Sequence, residues 1–432
     1  MVVLSKQQKA LTISIAILYD DIYKKRNVTK KRKAKRFWVR KLYQERKSSG
    51  FFHVLTKELE LFDREYLFRF MRMSPDRYEH LLSIVGPKLQ RQKTHLREPI
   101  SPSERLTLTL RYLASGESQQ SLSLSFRISR TAISNILADT CEKILDSLCD
   151  IYVQPPRSEV DWLNISDSFL EDWDMVHCIG AIDGKHVAIE CPKNSGSLYY
   201  NYKGFFSIVL IAVCDARYCF TLVNVGDFGS NNDSGILAKS SMGKRFEEQK
   251  MNVPNAKSLL GYAEDNLPFF LVDDEIFPLK TWLMRPYPGN LSLGQKIFNY
   301  RLSRARRTIE NSFGILAARW RIFRQPIKAK VENAEKFTLA PIALHNYLRL
   351  TNNASYSPTG FIDSETRDGK MVAGTWRKVL SDDGGANALR DLPHVRGSRY
   401  QKCAIIQRDN LQSYFMNTGT VEWQLSCGPV MS

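Results

Sequence analysis

The chain has 432 residues, 43% of them hydrophobic, with 62 Lys and Arg against 45 Asp and Glu for a net charge of +17. That length exceeds one small core and points to two or three domains, and the composition is that of a folded protein rather than a disordered one. No apolar run reaches the roughly 18 residues a membrane span needs, and eight cysteines without a C-x-x-C pair argue against a disulfide framework or a zinc module.

The first feature in chain order is ALTISIAILY, residues 10–19, where Leu11, Ile15 and Leu18 recur at helical spacing. It lacks a small-residue cleavage site, so an amphipathic helix is expected rather than a secretion signal. Residues 24–47 then hold 13 Lys and Arg with one acid, a net +12. A second basic block, 301–330, holds nine against Glu310, a net +8, which leaves the rest of the chain at −3. Two basic blocks on a near-neutral body point to a polyanion partner. For the first block a solvated tail or a nuclear-import signal stays open. The expected organisation is a basic arm over 1–50, an all-α region over 51–150, an α/β domain over 177–350, and a linker and tail over 351–432.

Within the helical region, Ser115-Gly116 ends one helix, a short second helix covers roughly 118–125, and Phe126-Arg127-Ile128 makes a tight turn. Ser129 is the expected N-cap of a third helix carrying Ile133, Ile136, Leu137, Cys141 and Ile144 on one face. Small polar residues at its start (Arg130, Thr131, Ser134, Asn135) complete a helix-turn-helix pattern that would read DNA. Three packed helices without any DNA role share the same pattern.

From residue 177 the grammar changes to strands: HCIGAIDGKHVAIE, FFSIVLIAVCDARYCFTLVNVGD with a turn at Asp215-Ala216-Arg217, and PFFLVDD. A long helix from about 297 to 320 follows, with Phe298, Leu302, Ala305, Ile309, Phe313, Leu316 and Trp320 forming a stripe that packs most simply on the sheet. Each strand segment delivers an acid at or beyond its apolar run: Asp183, Asp233 and Asp274. The helix adds Glu310 beside its buried stripe, with Gly314 one turn later leaving room for close approach. Such a set can hold two divalent ions through hard oxygen ligands, for phosphoryl transfer. Ordinary uses compete: Asp183 in an Asp-Gly turn, Glu310 paired with Arg306 at i, i+4, Asp233 as a helix cap, and Asp273-Asp274 as a strand end.

The ordered series GAIDGKHVAIECP, NYKGFFSIVLIAVCDARY, GSNNDSGIL, LVDDEIFPLKTWLMRPY, FNYRLSRARRTIENSFGILAARWRIF and IALHNYL resembles the PIF/Harbinger-type transposases and the nucleases derived from them. The likeness runs from about Lys35 to Leu350 and returns in RDNLQSYFMNTGTVEWQ. It implies an RNase H-like mixed sheet flanked by helices, preceded by an all-α helix-turn-helix region. It also implies a DDE metal site of Asp183, Asp274 and Glu310, with Asp233 as a further ligand. Asp273 stands where relatives commonly carry Gly, which leaves Asp273 a rival to Asp274; His186 reads as structural or substrate-positioning. The activity implied is Mg²⁺- or Mn²⁺-dependent cleavage of DNA phosphodiesters, with 3′-end joining in a true transposase. The basic residues Arg304, Arg306 and Arg307 are the candidate phosphate contacts beside Glu310. A Myb/SANT-like companion and nuclear residence are implied as well, while a homo-oligomer and a cytoplasmic pool stay open. A non-catalytic DNA-binding regulator and a nuclease for RNA or repair intermediates are the alternatives.

Overall fold

The computed structural model describes residues 39–93, 98–230, 233–259, 262–275, 277–351, 354–366, 371–382, 388–392 and 400–425. The apolar run 10–19 and most of the basic arm lie outside them. Residues 39–44, which include a helical turn at Lys41–Gln44, belong to a first compact unit; a second spans Glu45–Ser432.

After a helical turn at Arg46–Ser49, the second unit has helices α1 (Leu55–Phe62), α2 (Arg64–Met71) and α3 (Pro75–Leu89). Next come α4 (Pro102–Ser115), α5 (Gln119–Ser125) and α6 (Arg130–Tyr152), whose limits follow local chemistry. Ser101 caps α4 through the Glu104 amide, with Pro102 at its first position, where a missing N–H costs nothing. Gly116 ends α4 in the left-handed region (φ 69°), and a Cβ there would meet the Arg321 carbonyl. Ser118 and Ser129 accept hydrogen bonds from the Ser121 and Ala132 amides and so start α5 and α6.

Helix α7 (Glu159–Trp173) leads into the sheet strands β1 (Cys178–Ala188), β2 (Ser207–Cys214) and β3 (Phe220–Phe228), then α8 (Asp233–Lys239) and α9 (Ser241–Glu247). The hairpin β4 (Lys257–Leu259) and β5 (Tyr262–Leu267) stands apart, and β6 (Phe270–Val272) and β7 (Leu283–Met284) return to the main sheet. Its order is β3-β2-β1-β6-β7, with the first three antiparallel and the last two parallel to β1. That is the RNase H-like arrangement. Side chains alternate with period two along β2: Ile208, Leu210 and Ala212 join one core, Val209, Ile211 and Val213 another. Both faces are therefore covered.

The long helix α10 (Leu293–Arg319) and α11 (Val331–Leu350) lie on the first face. Ser292 and Gln295 form a capping box at the start of α10. The core on this side also takes in α3, α4 and α6, so the helical region and the sheet share one apolar interior.

Residues 351–432, expected to be linker and tail, are instead built into the fold where described. The small hairpin β8 (Ser364–Glu365) and β9 (Met371–Val372) is followed by α12 (Thr375–Asp382), β10 (Leu389–Asp391) and α13 (Lys402–Met416). Strand β10 pairs antiparallel with Lys185–Val187 of β1, and α13 packs on α10. The polar composition of 351–397 hid this, because β10 contributes only three residues and draws its order from the edge it pairs with. Gly314 does leave room, but the Trp376 indole of α12 fills it.

Candidate active site

Asp183 sits in the middle of β1, directly opposite Ala212 of β2. The chain does not reverse there, so the Asp-Gly pair is a strand element and not a turn. Asp183 is 2% exposed, and its Oδ1 accepts from the Gly184 amide at 2.7 Å. Burial pushes its carboxyl up; Lys185 opposes that shift and Asp274 adds to it. Gly184 is required by packing, since a Cβ would run into the Leu392 side chain.

Two residues along the same strand, hence on the same face, Lys185 places Nζ 2.6 Å from Asp183 Oδ2 and also contacts Asp391 of β10. Burial works against the lysine charge, but the two carboxylates outweigh it and hold the ammonium protonated above its ordinary range. The neighbouring strand β6 ends at Val272 and delivers two acids with different fates. Asp273 is fully buried, and its Oδ2 accepts from the Phe277 amide at 2.9 Å. Burial first, then the Asp274 charge, raises its pKa well above the ordinary value of an aspartate. Asp274 is half-buried and faces α10, where Arg306 lies 3.7 Å away. Arg306 also pairs with Glu310 one turn on. Burial lowers its pKa, but Glu310, Asp274 and Asp183 more than reverse this.

These groups open onto a cleft of about 420 Å³ lined by Lys185, Asp274, Ser303, Arg306, Glu310 and Asp391. Asp274 and Glu310 line this cleft and share Arg306, while Asp183 is buried behind it and reaches it through its ion pair with Lys185. Among the described residues no three His, Cys, Asp or Glu side chains converge closely enough to hold a metal ion. The donor set itself is all oxygen and suits a hard divalent cation. Such an ion would take over the countercharge that the lysine and arginine now supply. Asp233 is the first residue of α8, and its carboxylate lies outside what is described.

Other acids have local duties. Asp215 braces the β2–β3 turn by accepting from the Arg217 and Cys219 amides, and Asp227 accepts from Asn224. His186 is buried against Ser207 Oγ at 3.0 Å, and burial lowers its pKa to about 4, so it is neutral and structural.

Sequence reasoning missed Lys185 and Asp391. The i, i+2 spacing from Asp183 was signal enough for the lysine. No signal marked Asp391, because its place depends on strand pairing across 206 residues.

The expected phosphate contacts divide. Arg130, Thr131 and Asn135 are exposed at the start of α6, and Ser134 is half-buried. Arg304 and Arg307 do not face a substrate, a correction with a clear cause: α10 is covered by the sheet on one side and by the C-terminal elements on the other. Arg304 pairs with Asp174 at 2.9 Å and Glu365 at 2.8 Å and stacks 3.9 Å over Trp423. Arg307 lies 3.6 Å from Glu365. Only Arg306 of the three opens to the cleft.

Residues 182–346 match the DDE superfamily endonuclease family. HARBI1 of Homo sapiens, whose name carries the word nuclease, is 27% identical over 270 residues, 62% of this chain and 72% of that protein. The ALP1-like protein of Arabidopsis thaliana is 29% identical over 258 residues, 58% of this chain and 62% of its own. The Arabidopsis protein named antagonist of like heterochromatin protein 1 is 25% identical over 268 residues, 60% and 67% of the two chains. No solved structure matches.

Proposed function

We propose that this chain, whose residues 182–346 match the DDE superfamily endonuclease family and which is similar to HARBI1 and the ALP1-like protein, cleaves DNA phosphodiesters at the cleft between β1, β6 and α10. The observation that carries the proposal is Asp183: a buried carboxylate in mid-strand, within 2.6 Å of a lysine and in electrostatic contact with Asp274. A charge so placed is expensive unless a cation is there to meet it.

Asp183, Asp274 and Glu310 would hold a divalent cation, magnesium or manganese, with Asp233 as a further ligand. When bound, the ion supplies an activated oxygen nucleophile and charge neutralisation at the phosphate. The chain's own residues do the positioning. Lys185 and Arg306 line the cleft as fixed cations and can steady the phosphate oxygens flanking the scissile bond, while Asp391 holds Lys185 from its far side. The exposed start of α6, with Arg130, Thr131 and Asn135, offers a second contact to the duplex. The basic arm supports nuclear residence, and a Myb/SANT-like companion belongs to the same reading through the resemblance.

The test is cleavage of labelled DNA with Mg²⁺ or Mn²⁺. Wild type is expected to nick or cut, and Asp183→Asn to lose at least 100-fold in rate while binding DNA in EDTA as wild type does. Equal cutting by the variant would overturn the site. Binding without any cutting by wild type would instead support the non-catalytic regulator.

A further inference from the structure

The connection between β1 and β2 ends in a turn that carries two largely exposed aromatic side chains, Tyr200 at 47% and Tyr202 at 60%. Neither tyrosine is what holds the turn in shape. Asn201, buried between them, does that: its Oδ1 accepts from the Lys203 and Phe205 amides at 3.0 and 3.3 Å. Its Nδ2 donates to Ser207 Oγ at 2.8 Å, and that hydroxyl meets His186 of β1. Gly204 completes the turn in the left-handed region (φ 82°), which a residue without Cβ adopts readily. The tyrosines thus stand on a stiff support fixed to the sheet. Tyr200 packs its ring against Phe206 at 5.1 Å, which leaves Tyr202 as the more outlying of the two.

The turn lies at the rim of the cleft. Lys203 Nζ donates to the Asp391 carbonyl oxygen at 2.7 Å, and it is the side chain of Asp391 that holds Lys185 and lines the cleft. An ammonium has three donors, so this one bond does not use it up. The same Nζ lies 5.6 Å over the Tyr202 ring, and the Arg390 guanidinium lies 4.6 Å over the Phe205 ring. Aromatic faces and cations are therefore interleaved where β10 meets the turn.

That pairing says what the rim would hold. An exposed ring stacks on a nucleobase while a neighbouring cation meets the phosphate, and both contacts tolerate any sequence. Bases inside a duplex already cover one another's faces, so a protein ring reaches only a base that is unpaired. We propose that Tyr202, together with Lys203, is a positioning site for an unpaired nucleotide of the DNA strand beside the cleft. The Tyr202 ring stacks on the base and the Lys203 ammonium meets its phosphate. The proposal rests on the reading of the protein as one that acts on DNA at this cleft, and adds that the strand is unpaired next to it. Rings alone would suit a protein partner equally; the interleaved cations favour a polyanion.

Binding is measured on the full chain in EDTA by fluorescence anisotropy, so that no cleavage intervenes. The probes are a fully paired duplex and the same duplex extended by about five unpaired nucleotides. Wild type is expected to prefer the extended duplex. Tyr202→Ala is expected to lower that preference, the ratio of the two affinities, about tenfold. Tyr202→Leu should lower it as far, because apolar bulk without a ring does not stack, and Tyr202→Phe should keep it. Lys203→Gln is expected to reduce the slope of log K against log salt for the extended duplex by about 0.7. Because Asn201 holds the turn, all four variants are expected to melt with wild type, and Tyr202→Leu carries the test if Tyr202→Ala does not fold. A preference that survives loss of the ring overturns the site and leaves the tyrosines to a protein partner. Wild type that binds both probes without preference overturns the site alone. Wild type that binds neither overturns the reading of the protein as one that acts on DNA, and the site with it.

Discussion

Lys185 shows how one residue sets the state of the site. Its ammonium stands against Asp183, which is buried, and is held from the other side by Asp391. Removing one partner of a buried pair leaves the other charge uncompensated, at a cost of about 3–5 kcal/mol. Lys185→Met is therefore expected to lose stability of that order in EDTA, and Mg²⁺ is expected to restore part of it. Urea unfolding with and without the metal measures both; equal stability to wild type in EDTA would show that Asp183 does not depend on the lysine. The same scale decides between neighbouring acids. Asp273 and Asp274 differ by one position, yet one is sealed in the interior and the other faces Arg306.

At the scale of elements, α11 is tied to the sheet through His345. Its Nδ1 lies 3.0 Å from the Tyr356 hydroxyl and its Nε2 2.8 Å from the Tyr218 carbonyl. Burial lowers its pKa to about 3, against 6.5 for a free histidine. The unfolded chain thus takes up the proton first. Stability falls as pH drops below 6.5 and goes on falling until about 3. At pH 5 this one group removes about 2 kcal/mol relative to neutral pH. Denaturant midpoints at pH 7 and pH 5 should show that loss in wild type, and His345→Gln should show a correspondingly smaller one. The helix limits around α4, α5 and α6 were legible because caps are local: a serine or glycine at the right place fixes a terminus whatever packs on it. The role of α10 was half legible. Its apolar stripe announced the sheet, but its arginines read as solvent-facing because their partners, Asp174 upstream and Glu365, Gly419 and Gln424 downstream, lie 61 to 130 residues away along the chain.

For the molecule as a whole, those downstream elements matter most. Arg301 donates to Gly419 O at 2.6 Å and stacks 3.9 Å from Phe415, while Trp423 covers Arg304 and Trp376 fills the space at Gly314. A chain ending at residue 350 would bare that side of α10, including buried arginines that lose their partners. It is expected to be insoluble or to lack a cooperative thermal transition; a soluble product melting within a few degrees of the full chain would show that residues 351–432 are a tail after all.

The sequence alone determined whatever depends on near neighbours. The strand and helix periods, the serine caps, the hairpin turn at Asp215 and the ordered motifs with their acids follow from short spacings and a few side-chain types. The tertiary structure decided everything that depends on what lies opposite. It put Asp183 in mid-strand instead of a turn, set Lys185 and Arg306 among the acids, brought Asp391 in from a segment of loop-like composition and turned Arg304 and Arg307 inward. The physical reason is that an ionised group takes its role from its countercharge and its burial, and both are supplied by residues far away along the chain.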